Sequence, residues 1–200
     1  MVAWRHRTRD AAALSVPDHF DLLARIYERV IPPPDPADLI ALLRLPASGR
    51  LLDAGGGTGR VSSALRPLVD DVLVSDLSLG MLEQASKKDG ITPIRAHVER
   101  LPFLDASFSR IIVVDALHHF CDQEDAIADL LRVLAPGGRL VIEEPDYTRL
   151  VVKLVALAEK LALMRSRFLT PEAIATLARA HGRTAAVTRD DRFRAWIVVT

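Results

Sequence analysis

From Arg50 to Glu143 short apolar runs alternate with stretches of helical period. Arg50–Ala54, Asp71–Ser75, Thr92–Ala96, Arg110–Asp115 and Arg139–Glu143 read as strands. Between them, Gly59–Leu68, Ser78–Lys87 and Gln123–Leu134 read as helices, the last stopped by Ala135-Pro136-Gly137-Gly138. Strands that are apolar throughout, alternating with helices, predict a parallel sheet covered on both faces and therefore an α/β fold. Ahead of this core, Asp18–Val30 has Phe20, Leu23, Ile26 and Tyr27 at helical spacing. Pro32-Pro33-Pro34-Asp35-Pro36 then forms a stiff connector to a second helix over Asp38–Leu45. Behind the core, Leu150–Phe168 reads as helical, and Thr170-Pro171-Glu172 opens a helix with proline in its first turn that runs to Ala180. Arg183–Arg189 and Phe193–Val199 close the chain as a hairpin across Asp190-Asp191.

Composition narrows the class without naming a function. The 200 residues are half apolar and carry 26 basic and 26 acidic side chains, enough for one ordinary domain and without the basic excess of a nucleic-acid surface. Cys121 is the single cysteine, which excludes an internal disulfide and any cysteine-cluster metal site. It reads as a small buried hydrophobe rather than a nucleophile. The N-terminus has no apolar signal-type run, and Leu150–Met164 is too short and too charged to span a bilayer. A cytoplasmic protein without stable membrane insertion is expected.

Candidate chemistry concentrates where the first strand meets the first core helix. Asp53-Ala54-Gly55-Gly56-Gly57-Thr58-Gly59 leaves bare backbone for a ligand, and the helix N-terminus offers unpaired N–H groups. A dinucleotide turn, Gly-x-Gly-x-x-Gly, requires glycine where Arg60 stands. Asp53 ahead of the turn favours a ligand cation over a pyrophosphate. Asp76, ending the second strand, is placed to accept both hydroxyls of a ribose; its competing role is to cap the following helix, for which Ser78 is the better residue. Asp115 closes the fourth strand, as a ligand carboxylate or a cap.

Six ordered segments carry a family resemblance. They are Asp53-x-Gly55-x-Gly57-x-Gly59, Val74–Ala85, Glu99–Phe103, Ser107–Arg110, Asp115–His119 and Leu131–Gly138. Together they resemble the class I S-adenosylmethionine-dependent methyltransferases, type 11 branch, similar to ubiquinone/menaquinone-biosynthesis methyltransferases. The resemblance is close over Leu51–Glu144 and loose elsewhere. It implies a Rossmann-like, doubly wound, seven-stranded sheet, mostly parallel with a C-terminal antiparallel hairpin strand. It implies S-adenosyl-L-methionine as cofactor, with Asp53, Gly55 and Gly57 at the methionine end, Asp76 at the ribose, and Leu77 and Met81 against the adenine. Where the family usually places an aspartate at the adenine amino group this chain has His97, so either that ring or the backbone of Val98 takes the contact. Asp115 would lie beside the methionine portion and the methyl group. No metal site is expected.

His118-His119 is the only histidine pair. One of them could act as a base near neutral pH, or both could pack against the sheet edge. The domain expectation is one methyltransferase unit over 1–200: a helical cap at 1–48, a cofactor core at 49–145, a helical insertion at 146–182 and a hairpin at 183–200. Cap and insertion should cover the open end of the sheet, and their apolar residues (Phe20, Leu23, Tyr27, Leu150, Val151, Leu154, Leu157, Met164, Phe168) suggest a small apolar or aromatic acceptor. Methyl transfer to such an acceptor is the expected function, and a cofactor-binding module without transfer is the alternative.

Overall fold

The computed structural model describes residues 36–149, 152 and 167–200. Seven strands form one sheet: β1 (Arg50–Ala54), β2 (Asp71–Asp76), β3 (Ile91–Arg95), β4 (Phe108–Val114), β5 (Leu134–Pro145), β6 (Ala185–Arg189) and β7 (Arg194–Val199). Their order is β3-β2-β1-β4-β5-β7-β6. The first five pair in parallel, while β7 runs antiparallel to both β5 and β6. Among the described residues five α-helices accompany them: α1 (Ala37–Leu43), α2 (Arg60–Leu65), α3 (Leu79–Ala85), α4 (Gln123–Val133) and α5 (Pro171–Ala180).

Alternation along each strand supplies two cores, one per face. Leu51, Val72, Val74, Ile112, Val141, Trp196 and Val198 face Leu39, Leu43, Leu65 and Leu82. Leu52, Leu73, Ile111, Val113, Leu140, Ile142, Ile197 and Val199 face Ile127, Leu130, Leu131, Ile174 and Ala178. The inner strands β1, β2, β4, β5 and β7 are buried on both sides over their centres, which is why those centres are apolar runs, whereas the edge strands β3 and β6 are largely exposed. Helix starts follow their side chains: Ser78 Oγ accepts from Met81 N, Asp122 Oδ1 from Glu124 N and Asp125 N, and Thr170 Oγ1 from Ala173 N. Ser78, and not Asp76, is the cap of α3.

Most boundaries shift by a few residues from the sequence reading, and three of the differences have a cause in the structure. Leu134 leaves the helix because it pairs with Phe108, after which the register jumps so that Arg110 meets Arg139. The Pro136-Gly137-Gly138 stop therefore lies within the span of β5 as an irregularity opposite Ser109. The closing hairpin turns over 190–193 rather than on Asp190-Asp191 alone, because Asp190 Oδ1 accepts from both Arg192 N and Arg194 N. Arg167–Thr170 is not helical, whereas the apolar pattern extended a helix through Phe168. The expected helix at 18–30, the proline connector and most of the 150–168 segment lie outside the described residues. Among the described residues no helix is long and apolar enough to cross a membrane.

Candidate functional site: an acid-lined cleft at the switch point

Strand order reverses at β1, with β2 on one side and β4 on the other, and such a reversal opens a crevice beyond the carboxyl ends of the strands. One cleft occupies it. Asp53, Gly55, Gly56 and Gly57 from β1, Asp76 and Leu77 from β2, Met81 from α3, and Ala96, Val98 and Glu99 after β3 line it, together with Asp115, His119, Phe120 and Cys121 after β4.

The glycine turn is held from beneath. Gly55 N and Gly56 N both donate to Ser75 O at 2.8 and 3.2 Å, and Gly59 N donates to Gly56 O at 2.9 Å. Gly55, Gly57 and Gly59 all take left-handed backbone, at φ 73°, 56° and 70°, a region that strains any residue with a Cβ. Gly56 is glycine for another reason: a Cβ there would stand 2.4 Å from Asp53 Cγ. The Asp53 carboxylate thus fills the space under the turn. It is 1% exposed and accepts a short hydrogen bond from Ser62 Oγ, which ties β1 to α2. Burial pushes its pKa up to about 7, opposed by the Ser62 hydrogen bond, reinforced by Asp76 and eased by Arg60. Asp53 is consequently a supporting carboxylate beneath the loop, more deeply set than the exposed cation partner its position in the sequence suggested.

Asp76 fixes the opposite wall. Its Oδ2 accepts from Gly57 N at 2.9 Å and its Oδ1 from Ser78 N at 2.9 Å. A carboxylate oxygen carries two lone pairs, so a group held by such bonds can accept from more than one donor. Lys88 Nζ donates to Thr58 O at 2.7 Å and braces the same turn. Thr58 Oγ1, in the cleft wall, is buried without a protein partner.

Asp115 adopts φ 53° and its backbone N–H donates to Glu143 O at 2.9 Å. This left-handed residue turns the chain out of β4, and its exposed side chain lines the cleft. It does not cap the 3-10 turn Leu117–His119, which begins from Ala116.

The histidines separate. His119 lines the cleft, and burial together with the neighbouring His118 ring pushes its pKa down to about 4. His118, at 3% exposure, does not. Its Nδ1 lies 2.6 Å from Glu144 Oε2, and its ring stacks on Phe168 with centroids 4.4 Å apart and planes 13° from parallel. Glu144 Oε1 also accepts from Ala116 N and Leu117 N at 3.0 and 2.8 Å. This one buried carboxylate therefore holds the whole turn that presents Asp115 and His119.

His97 is a second departure from the sequence reading. Ala96 and Val98 line the cleft and His97 does not, because neighbours in extended backbone point to opposite sides. Its side chain is 62% exposed, with Nδ1 3.6 Å from Glu99 Oε2. Cys121 also differs: it is exposed and lies at the cleft rim, where Glu99 Oε1 accepts from its backbone N–H at 2.9 Å. Of the residues singled out from the sequence, Asp53, Gly55, Gly57, Asp76, Leu77, Met81, Val98, Asp115 and His119 come together; His97 and His118 do not join them. Sequence reasoning gave no role to Ser62, Glu99 or Glu144. The legible signal for Glu144 is an acid closing the apolar run Leu140-Val141-Ile142, where burial demands partners. Among the described residues no cluster of three or more His, Cys, Asp or Glu is arranged to hold a metal ion.

Comparison with known proteins matches residues 52–142 to the family described as Methyltransferase domain. The matched span runs from within β1 to within β5 and takes in the strands that border the cleft. The demethylmenaquinone methyltransferase of Clavibacter sepedonicus is 38% identical over 102 residues, 49% of this chain and 42% of that protein. The ubiquinone/menaquinone biosynthesis C-methyltransferase UbiE of Stutzerimonas stutzeri is 34% identical over 105 residues, 48% of this chain and 41% of that one. The chain thus spans about two fifths of the length of these relatives. Among solved structures, the YcgJ protein from Bacillus subtilis superposes with a TM-score of 0.70 at 24% identity, covering 76% of this chain and 69% of its own. A DhpI–SAH complex superposes with a TM-score of 0.71 at 18% identity, covering 90% and 92%. These two likenesses carry the fold alone.

Proposed function

We propose that this protein transfers a methyl group from S-adenosylmethionine to a small apolar or aromatic acceptor, of the quinone-related kind named for its curated relatives. The observation that carries the reading is the convergence of Asp53, Asp76 and Asp115 around the bare glycine turn in one cleft. Such a lining suits a ligand bearing ammonium and sulfonium charges, with the Gly55 and Gly57 backbone exposed to its carboxylate end. S-adenosylmethionine supplies a sulfonium methyl open to in-line displacement, chemistry that rests on proximity and orientation.

The residues divide that task. Asp76 receives the ribose hydroxyls, Leu77 and Met81 enclose the adenine, and Val98 offers backbone beside it. Asp115 lies toward the methionine and methyl end. His119 is neutral throughout the physiological range, and a ring whose pKa is about 4 holds a proton poorly near pH 7. It therefore accepts a hydrogen bond that orients the acceptor, and does not act as a strong base. His118 serves the turn through Glu144. The alternative, a binding module without transfer, drew on His97 at the adenine position. That ring lies outside the cleft, so its departure from the family pattern leaves the adenine contacts untouched.

The test is direct. Protein supplied with S-adenosylmethionine and a reduced demethylmenaquinone analogue should release S-adenosylhomocysteine and add 14 mass units, one CH2, to the acceptor. Tight homocysteine-product binding with no transfer to quinols, phenols or amines would favour the binding module.

A further inference from the structure

At the opposite end of the sheet from the cleft, three arginines lie together around the end of α1. Arg110 on β4 and Arg139 on β5 are direct cross-strand partners. Arg110 Nε donates to Leu43 O at 2.7 Å, and Arg139 Nε donates to Leu42 O at 2.9 Å. Both thus reach the last carbonyls of α1, and Arg44 is the residue that ends that helix, at φ 55°. Among the described residues none of the three makes an ion pair with a carboxylate; the side-chain partners recorded for Arg110 and Arg139 are backbone carbonyls, including Ser109 O for Arg110 Nη1 at 2.8 Å.

Helix capping explains why cations stand here and fails to explain how many. The open end of a helix presents about half a unit of negative charge, against three full positive charges. Like charges placed opposite each other on neighbouring strands are destabilising. Burial chiefly, and after it the neighbouring arginine charges, pulls the Arg110 and Arg139 guanidiniums below their ordinary range. Among the described residues about two and a half units of charge are left uncompensated.

We propose that Arg44, Arg110 and Arg139 form a binding site for a compact dianionic oxyanion, phosphate or a phosphate monoester, remote from the methyl-transfer cleft. Guanidiniums match phosphate oxygens; the carbonyl bonds engage Arg110 Nε and Nη1 and Arg139 Nε, which orients both groups and turns Arg110 Nη2 and the two Arg139 Nη atoms to the anion. This site does not depend on the proposed methyl transfer.

Calorimetric titration of the full chain with inorganic phosphate, at ionic strength held constant with chloride, reads the site. Saturable one-to-one binding is expected at millimolar phosphate or below. Arg44→Gly is the informative variant, since its left-handed backbone accepts glycine without strain. It should weaken phosphate binding about tenfold, while the phosphate-free melting temperature holds or rises because a repelling charge is gone, and S-adenosylhomocysteine affinity stays unchanged. Arg139→Gln should weaken binding as well, with some loss of stability from the lost α1 contact. A parallel titration with ribose 5-phosphate separates the sources: tighter binding than phosphate marks a phosphorylated molecule, equal binding the free anion. No saturable phosphate binding by the wild type, or equal affinity in Arg44→Gly, overturns the proposal.

Discussion

Replacing Gly56 by alanine should damage the protein through one carboxylate. The backbone there is not left-handed, so the substitution carries no conformational penalty and would by itself stiffen the unfolded chain slightly in favour of folding. The added methyl, however, would stand 2.4, 2.5 and 2.7 Å from Asp53 Cγ, Oδ2 and Oδ1. The carboxylate is buried and bonded to Ser62 Oγ, with no exposed position to retreat to. Overpacking costs about 1–3 kcal/mol, and breaking a buried hydrogen bond to an acid costs about 1.5–3 kcal/mol more. The sum, about 2.5–6 kcal/mol, is a large part of the about 5–15 kcal/mol that holds a typical domain together. The assay is a double-mutant cycle in urea, monitored by far-ultraviolet circular dichroism. In an Asp53→Ala background the obstructing group is gone, and Gly56→Ala should then cost less than about 1 kcal/mol. Additive effects of the two substitutions would refute the assignment of Gly56 as a lid over the Asp53 carboxylate.

Other consequences follow from the same geometry. Asp53 titrates near 3.8 when unfolded and at about 7 when folded, so the folded state holds the proton more tightly. Stability from this group is full below pH 4, declines as pH rises and is lost above 7, a change of about 4 kcal/mol; the difference between wild type and Asp53→Asn in urea unfolding from pH 4 to 8 should trace it, and a flat difference contradicts it. Glu144→Ala removes the acceptor of Ala116 N, Leu117 N and His118 Nδ1 and should cost about 3–5 kcal/mol, with Glu144→Gln milder; a urea-derived loss under about 1 kcal/mol from the alanine variant would show that the turn stands without it. His97→Ala should change S-adenosylhomocysteine affinity by less than about twofold in calorimetry, a tenfold loss being evidence that the ring swings into the cleft.

The parts of this fold legible in the sequence are those set by local chemistry. Leu51-Leu52, Val72-Leu73-Val74 and Ile111-Ile112-Val113 are apolar on both faces because both faces are covered, and periodicity reports that at once. Ser78, Asp122 and Thr170 announce their helices because a cap is a contact two or three residues long. Asp76 and the glycine turn were readable because their roles depend on strand ends. What escaped depends on distance in sequence. Gly56 needs Asp53 beneath it in space, Glu144 meets a turn some 26–28 residues earlier, and His97 faces outward for a local reason that family likeness concealed. The break at Leu134 was missed because its partner Phe108 lies on another strand, while the proline and glycines beside it read as a full stop.

The central claim is that the acid-lined cleft binds the methyl donor. Titration calorimetry of wild type and Asp76→Ala with S-adenosylhomocysteine tests it most directly. The account predicts saturable one-to-one binding by the wild type and a loss of at least about tenfold in Asp76→Ala, with the melting temperature of the variant measured alongside. Absence of binding to wild type at millimolar S-adenosylhomocysteine and S-adenosylmethionine alike, or undiminished affinity in a folded Asp76→Ala, would contradict it.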